Sequence, residues 1–297
     1  MEKKHHNVIV LGARGMLGHM VEKTLSQDTA FEVLGTESDD KNAAMHFNVW
    51  DGIETLRRTV EKARLFTSMP LYFINCIGIT MNLIDPKNSP SVQRAIRINS
   101  LFPHELAGFA EEIQARMIHM STDGVFAPNV AGALEDWPHD STDLYGKTKS
   151  LGEPVSESVL NIRASILGPS PNTHGSLFEW FRSQPDGGTV SGYTDQVWKG
   201  VTTLQFAELC RKIIRDDLFE RLRREGTAAH FAPNTAVSKY ELLEMLKRGL
   251  KKNIAINPVS SGAPLTRTLA STSLVLKELY SEEIPIEEAI TELIKTS

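Results

Sequence analysis

Short apolar stretches alternate with amphipathic stretches through the first half of the chain. Runs rich in β-branched and aromatic residues predict strands at residues 7–10, 31–35, 46–49, 71–77, 116–120 and 160–162. Helical periodicity predicts helices at residues 20–25, 53–65 and 99–113, and another that begins near Tyr145. Strands that alternate with helices are typical of a parallel sheet with right-handed crossovers. The fold class expected is therefore α/β.

The pattern changes after about residue 165. Proline and glycine, including Pro169, Pro185 and Gly187-Gly188, interrupt it to about residue 200, and helices resume at 204–224. Ser238-Lys-Tyr-Glu241 has the form of a capping box and predicts a further helix. A length of 297 residues is about twice that of a typical domain. We expect a doubly wound Rossmann domain over 1–165 and a smaller lobe, mainly substrate-binding, over 166–297, from which segments can return to the first domain.

Composition excludes several classes of protein. The chain has 32 Lys and Arg against 37 Asp and Glu, and its basic residues form no sustained run, so we expect no nucleic-acid partner. Apolar runs fall far short of the ~18 residues of a membrane span, and the first residues lack the apolar core of a signal peptide. Two cysteines form no disulfide framework, and the nine histidines have no metal-ligand spacing. The sequence predicts a cytoplasmic protein that binds neither membrane nor metal.

A glycine-rich segment directly follows the first predicted strand. Gly12, Gly15 and Gly18 recur at every third position, with Arg14, Met16 and Leu17 between them. The pyrophosphate of a dinucleotide needs close approach to backbone N–H groups at a helix N-terminus, and glycine permits it. A tight turn without a ligand is the alternative, but the place between strand and helix favours a dinucleotide site.

Two charged residues give opposite indications about the cofactor. Glu37 lies 19 positions after Gly18, where an acidic residue accepts hydrogen bonds from the adenosine ribose of NAD. Arg14 can instead pair with the 2′-phosphate of NADP. Either residue can also be plain solvated surface. The cofactor is therefore NADP or NAD, with NADPH slightly favoured. Two further segments are expected along the cofactor, namely Asn48 with Val49, and Cys76, Ile77 and Gly78.

The segment Tyr145-Gly-Lys-Thr-Lys149 suggests proton transfer. On a helix, the spacing of four places the phenol and the ammonium on one face, where the cation is expected to lower the tyrosine pKa. Such a phenol can exchange a proton with an alcohol or ketone oxygen. The predicted strand at 116–120 runs into Ser121 and Thr122, at the carboxyl end of the sheet where ligands bind. Turn capping is the alternative role for these two hydroxyls.

Taken together and in this order, these motifs resemble the extended short-chain dehydrogenase/reductase superfamily, and within it the dTDP-4-dehydrorhamnose reductase family. The resemblance spans nearly the whole chain. It rests on Gly12-Ala-Arg-Gly-Met-Leu-Gly-His19, Asn75-Cys-Ile-Gly78, Arg97-Ile-Asn-Ser-Leu-Phe-Pro-His104, Ser121-Thr-Asp-Gly-Val-Phe126, Leu144-Tyr-Gly-Lys-Thr-Lys-Ser-Leu-Gly-Glu153, Ile162-Arg-Ala-Ser165, His174-Gly-Ser-Leu-Phe-Glu-Trp-Phe181, Gly192-Tyr-Thr-Asp-Gln196 and Arg267-Thr-Leu-Ala-Ser-Thr-Ser-Leu274.

The resemblance implies roles for individual residues. Thr122, Tyr145 and Lys149 match the catalytic Thr, Tyr and Lys. Tyr145 and Lys149 would also contact the cofactor, and Asn99 would support it. Hydride would add to a ketone at C4 of the sugar, Tyr145 would supply the proton, and Lys149 would bind the nicotinamide ribose. The resemblance further implies a substrate side formed by Thr80, Thr122, Asp123, His174, Trp198 and Arg267, of which Arg267 would lie near the diphosphate or serve as a surface ion-pair partner.

Three departures from the family pattern fall on the substrate side. Gly124 stands where the family commonly has Tyr, Ile166 where it has Trp, and Ala270 where it has Asn. They leave hydride transfer intact and put the rhamnose precursor itself in doubt. Trp198 or Trp180 can supply replacement stacking surface, although we expect Trp180 to be buried in packing.

We therefore expect an NAD(P)-dependent oxidoreductase that reduces a 4-keto nucleotide sugar in polysaccharide precursor synthesis. A nucleotide-sugar epimerase or dehydratase is one alternative. A non-enzymatic NAD(P)-binding regulatory subunit is another alternative, because the chain also resembles the regulatory subunit of methionine adenosyltransferase. The identity of the sugar and of the nucleotide stays open, as does the choice between a monomer and a homodimer.

Overall fold

A computed structural model describes residues 6–39, 45–63, 71–171 and 175–296. The strands are β1 His6–Leu11, β2 Phe31–Gly35, β3 Leu71–Asn75, β4 Arg116–Ser121, β5 Val130–Ala133, β6 Val159–Arg163, β7 Ile166–Leu167, β8 Thr189–Tyr193, β9 Gln196–Trp198, β10 Val201–Thr202, β11 Ala228–His230, β12 Val237–Ser238, β13 Ala255–Val259 and β14 Leu265–Leu269. The helices are α1 Gly18–Ser26, α2 Ile53–Lys62, α3 Ser89–Ala95, α4 Phe102–Glu112, α5 Leu144–Leu151, α6 Leu177–Ser183, α7 Thr203–Arg215, α8 Phe219–Glu225, α9 Lys239–Leu250, α10 Leu274–Leu279 and α11 Ile286–Thr296. A π-helical segment, Ile96–Leu101, joins α3 to α4.

A parallel sheet of six strands organises the first half of the chain. Its order is β2-β1-β3-β4-β6-β11, and every pairing is parallel. The chain moves from β1 outward to β2 and then returns past β1 to β3. The order therefore reverses between β1 and β3, and a ligand crevice is expected outside their carboxyl ends. The expected α/β fold with a doubly wound parallel sheet is confirmed.

Alternate residues of the strands enter two separate cores. Val8 and Val10 of β1 pack into one core, which includes buried residues of α1 and α7. Ile9 and Leu11 pack into the other, together with α2 and α4. Near-continuous apolar strands are expected when both faces of a parallel sheet are covered, and all six residues of β1 are buried.

Much of the second half of the chain forms a separate group of elements. A four-stranded sheet has the order β12-β9-β14-β5, and β8 pairs with β13 beside α9. Three elements from this half return to the first sheet and its helices. β11 is its edge strand, next to β6, α7 packs against α1, and α8 packs against β6.

Most predicted elements of the first half are confirmed within two residues at each end, but the strand at 46–49 is wrong. A single parallel bridge joins His46 to Glu37, and the chain then leaves the sheet. The Asn48 side chain accepts a hydrogen bond from Trp50 N, at 3.0 Å, and caps a 3₁₀ turn over Val49–Asp51. This local cap competes with strand pairing. The helix at 53–65 is confirmed as α2 to Lys62, and residues 64–65 lie outside the described residues.

The helix predicted at 99–113 begins ten residues earlier than expected. α3 starts at Ser89, behind an Asn88 cap, and continues through the π-helical segment into α4. The capping box predicted at Ser238 and Glu241 is confirmed at the start of α9. The stretch from 165 to 200, predicted as loop-rich, contains α6 and short strands.

Candidate active site

The glycine turn connects β1 to α1 at the reversal point of the sheet. Gly12 has a φ of +79°, which favours glycine, and its N–H donates to Thr36 Oγ1 at 3.1 Å. A Cβ on Gly18 would collide with the carbonyl of Gly12, so the turn and the helix start can meet only through glycine. Gly15 faces outward and is exposed. Each of the three glycines thus has a separate geometric reason.

The turn fits the pyrophosphate of a dinucleotide. Leu17 occupies the N-cap of α1 without a side-chain cap, and its side chain is buried in the core. An uncapped helix N-terminus behind an exposed glycine offers backbone N–H groups to an anion. At Arg14, Gly15 and Met16 the chain is exposed or half-buried. Residues 12–18 would therefore hold the group mainly through their backbone.

Arg14 and Glu37, which gave opposite indications in the sequence, form an ion pair with each other. Arg14 is 58% exposed and Glu37 27% exposed. Neither is an isolated surface charge, because the pair spans the glycine turn and the end of β2. The charge of Glu37, and its hydrogen bond, raise the pKa of the Arg14 guanidinium.

The other residues predicted along the cofactor lie at a 3₁₀ turn and just after β3. Asn48 is half-buried and its amide oxygen is used by the Trp50 N–H, while Val49 is buried and its carbonyl accepts from Arg97 at 2.9 Å. Cys76, Ile77 and Gly78 follow β3 directly, beside the glycine turn. Burial raises the pKa of the Cys76 thiol, so the thiol stays protonated.

Thr122 and Tyr145 meet at the carboxyl end of β4. The Thr122 hydroxyl lies near enough to the Tyr145 phenol to oppose the rise of its pKa. The Thr122 hydroxyl also accepts from Gly124 N at 3.0 Å. Gly124 lies against both, since a Cβ there would be 3.0 Å from Tyr145 Cε1 and 3.2 Å from Thr122 Oγ1. The departure from the family pattern at Gly124 therefore leaves room for the phenol ring.

Lys149 lies one helical turn after Tyr145 on α5 and is almost fully buried. Its ammonium donates to the Met120 carbonyl at 2.8 Å. Burial lowers the pKa of Lys149 to about 8, and Glu153 opposes this shift. Burial raises the pKa of Tyr145 to about 12, although the Thr122 hydroxyl opposes it. The expected lowering of the Tyr145 pKa is therefore not observed, because burial dominates and Lys149 directs its ammonium to Met120.

Asn99 holds two parts of the site together. Its side chain is fully buried in the π-helical segment, accepts from Ile79 N at 2.9 Å and donates to the Ile79 carbonyl at 3.0 Å. It also donates to Thr148 Oγ1 at 3.3 Å. These bonds fit the supporting role that the resemblance implies, and direct contact between Asn99 and the cofactor stays a prediction. Asn99 clamps the loop after β3 to α5, the helix that carries Tyr145 and Lys149.

Charged residues of the second group of elements face Thr122 from the other side. Asp123, which follows Thr122, receives a hydrogen bond from its hydroxyl at 3.1 Å. Burial raises the pKa of Asp123, and the charges of Arg267 and Lys239 oppose the shift. Arg267 has its Nε buried without a hydrogen-bond partner among the described residues. The alternative of Arg267 as a surface ion-pair partner receives no support from the ion pairs of the described residues.

A cavity of about 290 Å³ opens beside these charges. Lys239 lies in its wall, and burial lowers the pKa of this ammonium. The remaining wall is largely apolar and aromatic, formed by Leu177, Trp180, Ser191, Tyr193, Gln196 and Leu243. Of these residues, the sequence pointed only to Trp180, as one of two tryptophans that could supply a stacking surface. One signal was available: Lys239 occupies the first position of α9, where the helix dipole disfavours a cation.

The two tryptophans have exchanged their expected places. Trp198 is 7% exposed, and its indole N–H donates to Ser165 Oγ at 2.8 Å. Trp180, expected in packing, is 37% exposed and lines the cavity. The prediction that Trp198 forms a stacking surface is therefore wrong, because its ring is buried against Gly200 at the end of β9.

One predicted substrate residue, Thr80, lies on the loop side of the site. Thr80 is exposed and its hydroxyl donates to Asn82, whose amide points toward the Gly175 carbonyl. His174 lies outside the described residues. The structure therefore brings together Thr122, Tyr145, Asp123 and Arg267, with Lys149 on the same helix as Tyr145.

A protein-family model matches most of the chain. The model described as the RmlD substrate binding domain matches residues 6–284. The chain belongs to this RmlD family. A relative named probable low-salt glycan biosynthesis reductase, from Haloferax volcanii, is 28% identical over 196 residues. That match covers 63% of this chain and 63% of the relative, so it spans less than two thirds of the relative's length.

Solved structures of other proteins share the fold of this RmlD family member. A dTDP-4-dehydrorhamnose reductase from Bacillus anthracis, in complex with NADP, has a TM-score of 0.76 at 18% identity and covers 99% of this chain and 100% of its own. A dTDP-4-dehydrorhamnose reductase from Clostridium acetobutylicum has a TM-score of 0.73 at 20% identity, with coverages of 98% and 99%. At these identities the likeness shows the fold.

The described ranges hold neither a metal-binding cluster nor a membrane-spanning helix. No group of three or more His, Cys, Asp or Glu there could hold a metal ion. Across those same ranges, no helix combines the length and apolar character that a membrane crossing needs.

Proposed function

We propose that this chain reduces the 4-keto group of a nucleotide sugar, with NAD(P)H as the hydride source. The observation that carries the proposal is the placement of half-buried Tyr145 beside buried Thr122 at the end of β4, at the same end of the sheet as the glycine turn. The names of the relatives, a glycan biosynthesis reductase and dTDP-4-dehydrorhamnose reductases, support the same class of reaction.

The proton step follows from the state of the phenol. Because its pKa is about 12, Tyr145 is protonated at neutral pH and serves as a general acid. When bound, NAD(P)H supplies a hydride to the carbonyl carbon. Tyr145 then gives its proton to the carbonyl oxygen, and the Thr122 hydroxyl holds that oxygen and the phenol in register. Lys149, with a pKa of about 8, is mostly protonated at neutral pH and would donate to the nicotinamide ribose.

The substrate side supplies local cations for an anionic ligand. The chain carries a formal net charge of −5, so it offers no general attraction to a diphosphate. Arg267 and Lys239 are both partly buried beside Asp123, and we assign them to the diphosphate. The cavity lined by Trp180 and Tyr193 would then receive the nucleoside. Thr80 and His174 stay predicted substrate contacts.

We assign the cofactor to the six-stranded sheet and the sugar to the elements of the second half, with β11, α7 and α8 as the segments that return to the first domain. NADPH is the preferred cofactor in this proposal. Its support is the exposure of Arg14, which lets the guanidinium turn from Glu37 to a 2′-phosphate.

The direct test is an assay of reduced-nicotinamide absorbance with a panel of dTDP-, UDP- and GDP-linked 4-keto sugars. We expect consumption of NAD(P)H with at least one of them, in equal amount to the reduced sugar. Purified protein that carries tightly bound NAD, with no net cofactor consumption, would instead indicate an epimerase or dehydratase. Stable association with a partner enzyme, without turnover, would indicate a regulatory subunit.

Replacement of Lys239 tests the diphosphate assignment. We expect Lys239→Met to raise the KM for the nucleotide sugar by about tenfold or more, since a hydrogen bond to a charged group contributes roughly 1.5–3 kcal/mol. The value of kcat and the affinity for the cofactor should change little. Lys247→Met on the same helix, outside the cavity wall, is the matched control. Equal KM values for the two variants would refute the assignment.

A further inference from the structure

A β-bulge in β5 lies next to the strand that carries Arg267. β14 pairs with β5, and Arg267 lies beside Val130. Two positions further along β14, Leu269 lies beside Ala133, which is three positions further along β5. Gly132 falls within this interval, and its φ of +69° favours glycine. A bulge interrupts the ladder of hydrogen bonds between two strands. The part of β14 that carries Arg267 therefore needs other contacts to hold its place.

His230, at the end of β11, bridges the two strands just beyond this bulge. Its side chain is buried, and Nδ1 lies 3.0 Å from the Ala133 carbonyl of β5 and 2.9 Å from the Ala270 carbonyl, which follows β14. Its Nε2 lies 3.1 Å from a guanidinium nitrogen of Arg163. A guanidinium can only donate, so Nε2 accepts and the ring proton lies on Nδ1. One N–H therefore donates to a carbonyl of each strand.

A network of hydrogen bonds continues from His230 to the end of β4. Arg163 donates to the Glu153 carboxylate, at 2.9 and 2.7 Å, and Ser121 donates to the same carboxylate. Ser121 is the last residue of β4 and directly precedes Thr122. The side chains of the network are almost fully buried. The network thus joins the end of β14 to the residue next to Thr122.

Apolar packing also holds β14 against the turn that follows Thr122. Leu269 belongs to the same small buried core as Phe126. Such contacts are not directional, whereas a hydrogen bond has a preferred length and angle. The bonds of His230 therefore determine where the end of β14 lies along β5, and with it the place of Arg267.

We propose that His230 is a positioning residue, which holds β14 so that the Arg267 guanidinium keeps a set distance from Thr122. The inference rests on the proposed assignment of Arg267 to the diphosphate of the substrate. In a nucleotide sugar, the sugar ring determines the separation between the carbonyl and the diphosphate. Thr122 and Arg267 must keep the corresponding distance, and His230 acts on it through the backbone of β14.

Two amide variants separate the two sides of the imidazole. His230→Asn places an amide nitrogen near the position of Nδ1 and can still donate to the two strands, but it leaves Arg163 without its partner. His230→Gln places an amide oxygen near the position of Nε2 and can still accept from Arg163, but it loses the bridge between the strands. Each variant is made alone and together with Arg267→Met. The measurement is the Kd for UDP, dTDP and GDP by calorimetric titration of the full chain.

Asn161→Leu is the matched structural control. Asn161 is buried on β6, next to β11, and its side chain donates to the carbonyls of Pro154 and Thr227, neither of which belongs to β5 or β14. It removes buried hydrogen bonds from the same sheet and leaves the bridge of His230 in place. The Kd for NADPH, measured for every variant, reports on the cofactor side.

We expect His230→Gln to raise the Kd for the nucleoside diphosphate that binds best by about threefold or more, as for residues in one network. His230→Asn and Asn161→Leu should stay within about twofold, and the Kd for NADPH should not change. With Arg267→Met in place, His230→Gln should add no further rise, because residues that act through one another are not additive.

An equal rise in His230→Gln with and without Arg267 would overturn the inference and leave the proposed function standing, and so would an unchanged Kd in His230→Gln. If His230→Gln does not fold, His230→Asn decides, because a Kd raised as far as in Arg267→Met would overturn the inference. Failure of all three nucleoside diphosphates to bind the unmodified protein would overturn the proposed substrate class and the inference together.

Discussion

Tyr145→Phe should lower the rate of ketone reduction by about 10²–10⁴-fold, the range for loss of a general acid. The change removes the proton donor beside Thr122, while the ring keeps its place beside Gly124. A single-turnover measurement at saturating substrate isolates the chemical step. The affinity for the cofactor, measured by fluorescence quenching, should stay within about twofold.

The matched control is Tyr280→Phe, a tyrosine that packs against Phe231 in the C-terminal part of the chain. It should leave the rate unchanged. If Tyr145→Phe kept more than about a tenth of the rate with the correct substrate, the phenol would not be the proton donor. Water at the carbonyl oxygen would then be the source of the proton.

Arg163→Met should lower the free energy of unfolding by about 3–5 kcal/mol, the usual effect of breaking a buried ion pair. Arg163 and Glu153 have 6% and 7% of their side chains exposed and are joined by three hydrogen bonds, at 2.9, 3.2 and 2.7 Å. Ser121, at the end of β4, donates to the same carboxylate. The variant would leave Glu153 ionised, buried and without its cation. Denaturant unfolding measures the loss.

The ion pair also predicts the direction in which the free energy of unfolding changes with pH. In the intact pair, burial raises the pKa of Glu153, but the hydrogen bonds and charge of Arg163 outweigh it and hold the pKa low. The stabilisation is then present above about pH 4.5 and is lost on acidification. In Arg163→Met the pKa should lie above its unfolded value, so stability should instead rise as the pH falls. The double variant Arg163→Met with Glu153→Gln should recover most of the loss; a deficit equal to that of the single variant would contradict the ion-pair account.

The sequence predicts the structure of the first half of the chain better than that of the second half, for physical reasons. A strand buried on both faces must be apolar throughout, and glycines that avoid a collision recur at a fixed spacing along the chain. Both features can therefore be recognised in the sequence alone. The structure around Asn48 was harder to predict, because a single side-chain cap decides there between a strand and a turn. The cavity wall combines α6, β8, β9 and α9, and no local pattern reports which distant segments meet.

The same limit explains the individual errors and omissions. The burial of a tryptophan depends on distant neighbours, which are Ser165 and Gly200 for Trp198. The sequence does not show these contacts, so the predicted roles of Trp198 and Trp180 were reversed. Asn99 matches a superfamily position in sequence, but its use as a clamp depends on the π-helical segment around it. The pKa of Tyr145 depends on burial, which a spacing of four residues does not report.

The position of β11 sets the order of events during synthesis. This edge strand begins at Ala228, whereas its partner β6 ends at Arg163. At roughly 5–20 residues per second, a ribosome needs about 3–13 s to make the intervening chain. During that interval β6 presents an unpaired edge of backbone N–H and C=O groups, which is a template for pairing between nascent chains. A fragment that stops at residue 165 would keep this edge open permanently, so the cofactor-binding half should aggregate when it is expressed alone.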